Sequence, residues 1–348
     1  MKSFCIVHLS DLHISDREDG KTSNLRNALI RDLVDRTQSQ SLKIDAIAVT
    51  GDSVDRGGSV GAFQIAEEYY KQLIHALNIE KENVLFVPGN HDYPRRTAIQ
   101  VLLENTSTDD FYNKTLFTEH WETFQARQKS FQKMVCNVTG VNDLENTEYG
   151  GSIRTIQTDN GLIRFVLLNS SWACTGERDF SNLFVGKWQL DELINLNRKL
   201  PPANLVLGLM HHPIDWLNIA DQKLVVENLT QPHGINLDAI LHGHIHTGRL
   251  DYTLNPDRGL LSLVSGVGYP DKSNRGIDQF KVSNCRYAIY NFDADSGMLT
   301  VQLRVSNENG SFAADTLLYD LGKETGSFTI PYKLKLSLIE QGSALEKK

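Results

Sequence analysis

The chain has 348 residues, enough for one large domain or two modest ones around a buried core. Hydrophobic residues make up 40% and charged residues 22%, the balance of an ordinary globular protein, and no stretch approaches the ~20 apolar residues of a membrane span. Lys plus Arg number 35 against 43 Asp plus Glu, a net charge of -8 that disfavours a broad electrostatic footprint on duplex nucleic acid.

Phe4–Leu9 reads as a strand and Asn24–Val34 has helical spacing. Asp45–Val49 is again a strand, and Ala62–Leu77 a helix with its apolar face at Ala66, Tyr69, Tyr70, Leu73 and Leu77. Val84–Val87 is a third strand, closed by Pro88-Gly89. Strands alternating with helices imply βαβ units and a largely parallel sheet. From about Tyr93 to Gly150 the rhythm breaks: the segment is polar, with a helix near Glu119–Met134 and the turn-rich VTGVNDLENTEYGG, and reads as an insertion over the fold. Ile153–Gln157 and Arg164–Leu168 then read as strands around an Asn160-Gly161 turn of type I′. Lys187–Leu200 is a helix, and Leu205–Met210 and Ala239–Leu241 are strands. Arg249–Val305 carries an antiparallel pattern. A βαβ half followed by a β-rich half suggests α/β architecture, two packed sheets flanked by helices. The domain is expected over 1–305, with an insertion at about 93–150 and a C-terminal extension over 306–348 that ends in a frayed QGSALEKK. Cys5, Cys136, Cys174 and Cys285 are scattered without a CxxC pair, and the apolar run in MKSFCIVHLSD is short for a signal-peptide core. Both observations give the expectation of a cytoplasmic protein with reduced thiols.

Five clusters stand just past apolar runs: Asp11-Leu12-His13, Gly51-Asp52, Gly89-Asn90-His91-Asp92, His211-His212-Pro213 and Gly243-His244-Ile245-His246. Ligands of open α/β sheets bind beyond the carboxyl ends of strands, so one rim could gather all five. Asp11, His13 and His246 could hold one divalent ion; Asn90, His211 and His244 could hold a second; Asp52 could bridge them. Mixed imidazole and carboxylate donors suit Mn, Fe, Zn or Co rather than Ca or Mg. Strand alternation would point Asp11 and His13 the same way, and likewise His244 and His246. The glycines at 51, 89 and 243 would let the backbone turn after each strand. Alone, a DxH or a GD means little; the five in order are a specific signal.

The order DxH, GD, GNHD, H, GHxH resembles the calcineurin-like metallophosphoesterase superfamily, from about Ser3 to about Val305. The resemblance implies a four-layer αββα sandwich of two mixed sheets. It implies two divalent metal ions, manganese first, sharing Asp52 and a bridging water that attacks phosphorus. It makes Asp11, His13, Asp52 and His246 one metal site and Asp52, Asn90, His211 and His244 the other, with His212 a neighbour. His91 would protonate the leaving group or contact phosphate. The run from Gly51 to Gly57 is similar to the GDxVDRG word of the phosphoprotein phosphatases, which implies that Asp55 orients His91 and that Arg56 clamps a phosphate oxygen. Asp92, His-His-Pro and Gly-His-Ile-His resemble instead the bacterial cyclic-nucleotide phosphodiesterase branch.

The expected activity is hydrolysis of a small, nucleotide-like phosphodiester or phosphomonoester, with no membrane partner. A DNA nuclease of the same superfamily needs a duplex-binding surface, which the acidic balance disfavours. An inactive metal-binding scaffold would lack ligands or the motif histidine, and all are present here. Specificity is expected from Tyr93–Gly150 and the loops Ala173–Phe184 and Gly268–Asp278.

Overall fold

The computed structural model describes residues 2–17, 20–94, 121–141, 150–176, 179–254, 259–266, 268, 285–307 and 310–333. Within them the chain runs β1 (Ser3–Leu9), α1 (Gly20–Ser39), β2 (Ala46–Val49), α2 (Val60–Leu77), β3 (Val84–Phe86), α3 (Trp121–Thr139), β4 (Ser152–Thr158), β5 (Gly161–Leu168) and α4 (Lys187–Asn197). It continues through β6 (Leu205–Met210), α5 (Ile219–Thr230), β7 (Ala239–His242), β8 (Arg249–Leu254), β9 (Gly259–Val264), β10 (Arg286–Asp293), β11 (Met298–Ser306), β12 (Phe312–Ala314) and β13 (Ser327–Pro331).

The strands form two mixed sheets. One has the order β12-β11-β10-β1-β2-β3, with β13 also paired to β11; the other has the order β4-β5-β6-β7-β9-β8. Period-2 alternation builds the layers from here. In β1, Phe4 and Ile6 point between the sheets, where they meet Leu205, Leu207 and Leu209. Cys5, Val7 and Leu9 point the other way, onto Leu29 and Leu33 of α1 and Ala66, Tyr70 and Leu73 of α2. Val166, Leu168 and Ile240 of the second sheet face Leu190 and Leu193 of α4 and Val225 and Leu229 of α5. Helices, sheet, sheet, helices: this is the four-layer α/β sandwich that the sequence implied. Each fully buried Leu, Ile or Phe in these layers contributes about 1.5–3 kcal/mol relative to exposure.

Three details differ from the sequence reading. The C-terminal β-rich run is not one antiparallel unit: β9 pairs in parallel with β7, whereas β10 and β11 cross to the first sheet and place β10 antiparallel to β1. The helix α5 was not expected; Asn218 caps it by accepting from the Ala220 N–H, and Val225 and Leu229, four apart, fix its buried side. The β4–β5 turn falls on Asp159 and Asn160, because Thr158 pairs with Gly161. The positive φ (131°) belongs to Gly161 alone of these residues, which is not the type I′ pattern.

Helix α3 buries Phe131, Met134, Val135 and Val138 in the layer outside the first sheet, so this part of the 93–150 segment is core. Residues 95–120 and 142–149, and most of the 268–278 loop, lie outside the described residues. Past residue 305, β12 and β13 both pair with β11. A buried polar link ties α1 to this sheet: Arg304 donates through Nε to Asp32 Oδ2 (2.8 Å), and Tyr287 donates its hydroxyl to the same carboxylate. Among the described residues no helix is long and apolar enough to cross a membrane.

Candidate metal centre

All five clusters follow strand carboxyl ends at one rim: Asp11 and His13 after β1, Asp52 after β2, Asn90 and His91 after β3, His211 after β6, His244 and His246 after β7. Backbone hydrogen bonds lash the first two loops side by side, from Asp11 N to Gly51 O (3.0 Å), His13 N to Asp52 O (2.9 Å) and Ile14 N to Ser53 O (3.0 Å). The second sheet is tied in through His244 N, which donates to Asp11 Oδ2 (3.0 Å), and Gly243 N, which donates to His211 O (2.9 Å).

The side chains converge by a different route from the one expected. Asp11, His13, Asp52, His244 and His246 have φ of 53°, 44°, 52°, 72° and 57°, so they lie in left-handed loop conformations and not in extended strand. Strand alternation therefore does not pair Asp11 with His13 or His244 with His246. Left-handed residues re-aim consecutive side chains inward, at a cost that L-residues tolerate only where the surroundings impose it. The glycines act in two ways. Gly51 takes a φ of 92°, whereas a Cβ on Gly89 would stand 2.1 Å from Asp52 Oδ1.

The donor atoms form two groups that share one oxygen. In the first, His13 Nε2 is 3.2 Å from His246 Nε2 and 3.9 Å from Asp11 Oδ1, and His246 Nε2 is 3.4 Å from Asp11 Oδ1. In the second, Asn90 Oδ1 lies 3.1 Å from both His211 Nε2 and His244 Nδ1, which are themselves 3.2 Å apart. Asp52 Oδ2 is 3.8 Å from His13 Nε2 and 3.4 Å from His211 Nε2, between the groups. Donors about 2.1 Å from a shared ion stand about 3.0–3.4 Å apart, so both groups fit the size of a divalent cation's ligand shell. Facing imidazole nitrogens at such distances repel unless a cation or a proton lies between them, which the same ion would supply.

Electrostatics agree with that donor set. Burial would raise the Asp11 carboxyl, but His246 and His211 outweigh it and hold it below the usual carboxylate range. Asp52 is likewise held low, because His211, His91 and His13 outweigh its burial. Burial lowers His13 to about 4 and His244 to about 3, which leaves neutral rings with lone pairs. His211 is the exception: against its burial it is raised to about 9, chiefly by Asp52, so a cation at Nε2 would have to displace its proton. Its Nδ1–H donates to Thr50 O (2.7 Å), which fixes the ring and turns Nε2 to the cluster. The Thr50 carbonyl was not singled out in the sequence, although it directly precedes Gly51-Asp52.

His91 stands at the edge of the first group, its ring 4.6 Å from that of His13. Its N–H donates to Asp52 Oδ1 (2.7 Å), so the carboxylate is anchored by one oxygen and offers the other. His91 Nδ1 bonds the backbone carbonyl of Asp55 (2.9 Å), whereas the Asp55 carboxylate is 3.8 Å away. The orienting contact is therefore main-chain. Arg56 is not drawn into the cluster: it is 75% exposed, 3.5 Å from the Asp55 carboxylate. Asp92 is buried and holds the loop shape, accepting from Gly89 N (2.8 Å) and Val54 N (3.1 Å). Burial, and then the Asp52 charge, raises it to about 7. Asp16 accepts from Ser59 (2.9 Å), the cap of α2. His212 is buried, with Nδ1 on Ser170 Oγ (2.9 Å), and its ring packs 4.4 Å from that of His244.

A two-sheet α/β sandwich with a rim of Asp, Asn and His donors able to hold divalent metal ions is the setting of a metal-dependent phosphoesterase. Residues 5–248 match the model of the calcineurin-like phosphoesterase family, and the chain belongs to that family. It is 22% identical over 273 residues to an uncharacterized metallophosphoesterase-like protein of Bacillus subtilis, YydB, covering 76% of this chain and 54% of the relative. The chain thus spans about half the length of this curated relative. Among solved structures, purple acid phosphatase PPD1 from yellow lupin matches over 94% of this chain and 54% of that one, with 14% identity and a TM-score of 0.52, a likeness of fold. Vps29 of Chaetomium thermophilum aligns over 94% of this chain and 99% of its own, at 10% identity and a TM-score of 0.37.

Proposed function

We propose that the chain is a dinuclear metal-dependent hydrolase of small phosphoesters, nucleotide-like diesters or monoesters. The observation that carries this reading is Asp52: one carboxylate oxygen faces donors of both groups while the other is tied to the His91 N–H. Asp11, His13, Asp52 and His246 would hold one ion, and Asp52, Asn90, His211 and His244 the other. Bound there, Mn, Fe, Zn or Co would polarise the phosphoryl oxygens and make a shared water nucleophilic near neutral pH.

The protein's own groups supply the rest. A carbonyl only accepts, so the bond to Asp55 O puts a proton on His91 Nδ1. A second proton, on Nε2, makes the imidazolium that can stabilise phosphate charge and protonate the departing oxygen. Beside His91 opens a cavity of about 830 Å³ lined by Arg17, Asp55, Arg56 and the start of α2. The leaving group would enter there, with Arg56 within reach of a phosphate oxygen. A cytoplasmic location belongs to the same proposal and is supported by the scattered cysteines.

The test is a panel of phosphomonoesters and phosphodiesters, run with each divalent metal added to stripped protein. Metal-dependent release of alcohol or phosphate is expected. Protein that binds two ions per chain and turns over no ester with any of them would overturn the reading.

A further inference from the structure

The two flanks of the centre are unlike. On the His244 side stands an aromatic wall. Trp216 lies edge-on to His244, ring centroids 4.0 Å apart at 84°, and Phe180 lies edge-on to Trp216 at 5.2 Å and 88°. These rings come from separate loops that the backbone joins: Leu183 and Leu217 form a parallel bridge, and Asn218 N donates to Leu183 O (2.8 Å). Asp179, buried beside Phe180, accepts from Thr175 N (2.7 Å) and Gly176 N (2.9 Å) and fixes the base of its loop. Phe180 nevertheless keeps 59% of its surface exposed. This exposed ring, packed on the Trp216 that touches the ligand candidate His244, offers a flat face to a substrate group. On the His91 side the cavity is polar, with Arg17, Arg56, Asp16 and Asp55 on its walls.

A phosphomonoester has one substituent and could use one flank. A diester has two and fills both. We propose that the site selects a phosphodiester whose leaving group enters the polar cavity beside His91 and whose retained substituent is a nucleoside, its base stacked on the Phe180 ring that stands edge-on to Trp216. This rests on the hydrolase reading above and names its substrate class. Water adds to phosphorus, the P–O bond to the leaving group breaks, and His91 hands a proton to that oxygen. The water's surplus proton passes to solvent. The products are a nucleoside monophosphate and an alcohol.

Two esters with the same leaving group test it: thymidine 5′-(4-nitrophenyl phosphate) and methyl 4-nitrophenyl phosphate, with 4-nitrophenyl phosphate as the monoester. Stacking of a base on one aromatic side chain is worth about ten-fold or more in affinity. Phe180→Ala is therefore expected to lower the ratio of kcat/KM for the thymidine ester over the methyl ester about ten-fold, and Phe180→Tyr to restore it. An unchanged ratio in Phe180→Ala overturns the platform. A wild-type preference for the monoester overturns the diester assignment. Equilibrium dialysis of thymidine 5′-phosphate against metal-loaded protein is the second readout, with about ten-fold weaker binding expected in Phe180→Ala. If the wild type cleaves no ester with any metal, the hydrolase reading fails, and dialysis alone decides the platform: equal affinity in the two proteins overturns it.

Discussion

Gly89→Ala changes no donor atom, yet it should disable the centre. The new Cβ would stand 2.1 Å from Asp52 Oδ1 and 2.3 Å from Asp52 N, and Cβ contacts essentially never fall under 3.0 Å. The Asp52 carboxylate, or the loop that carries Gly89, must therefore give way by about 0.9 Å; a displacement near 1 Å at a catalytic group costs about 10²-fold in rate. Both sides of the contact are constrained. Asp52 Oδ1 is held by His91 N (2.7 Å), and Gly89 N donates to the buried Asp92 (2.8 Å). Overpacking of this kind typically costs about 1–3 kcal/mol of stability, so the variant should fold and melt several degrees lower. Elemental analysis after dialysis should find less than two metal ions per chain, and kcat/KM on the best ester of the panel should fall about a hundred-fold. A variant that keeps full metal content and wild-type kcat/KM would refute the placement of Asp52 between the two donor groups.

Asp52→Ala, which removes the shared oxygen outright, should lose at least one ion and nearly all turnover; two ions with normal rates would sink the bridging role. His91→Ala should keep both ions but lower kcat about 10²–10⁴-fold on alkoxide leaving groups and less on nitrophenolate, which departs without a proton. Equal losses on both would leave His91 as a phosphate contact only. Asp55→Asn should change kcat little, because the partner of His91 Nδ1 is the main-chain carbonyl, which the substitution keeps. A large loss would show that the carboxylate 3.8 Å away carries the interaction. Asp32→Ala leaves the buried Arg304 with its bond to the Phe312 carbonyl and should cost about 3 kcal/mol in urea unfolding without altering metal content.

Much of the architecture was legible because β1, β2, β3 and β6 are short apolar runs closed by polar clusters, and α2 has apolar residues at helical spacing. The candidate donors could be picked out because they are local in sequence: each cluster brings its own, and the fold gathers the clusters at one rim. What depended on distant pairing was not legible. That β10 lies against β1 rests on Cα partners such as Ile6 and Tyr290, which no local periodicity reveals. The carbonyl roles of Thr50 and Asp55 were hidden for a related reason, since every residue type carries a carbonyl and only the fold aims one. The Trp216 and Phe180 pair had no spacing signal, because its members come from loops about 36 positions apart that meet through one backbone bridge.

The candidate side chains converge through left-handed residues and not through strand alternation. Of nine non-glycine residues at positive φ among the described residues, five are metal-ligand candidates. At about 1–2 kcal/mol each, these five hold a reservoir of about 5–10 kcal/mol, somewhat less where Asp is the residue. The offset lies in the backbone itself. The loops after β1 and β2 exchange hydrogen bonds at Asp11, His13, Ile14 and Asp55, so the conformation is imposed by neighbouring main chain. The site's acidic side chains are already held ionised by the histidines around them, and two of its rings, His13 and His244, are already neutral. These are the forms a divalent cation binds, whereas His211, raised to about 9, would have to give up its Nε2 proton for the ion to bind.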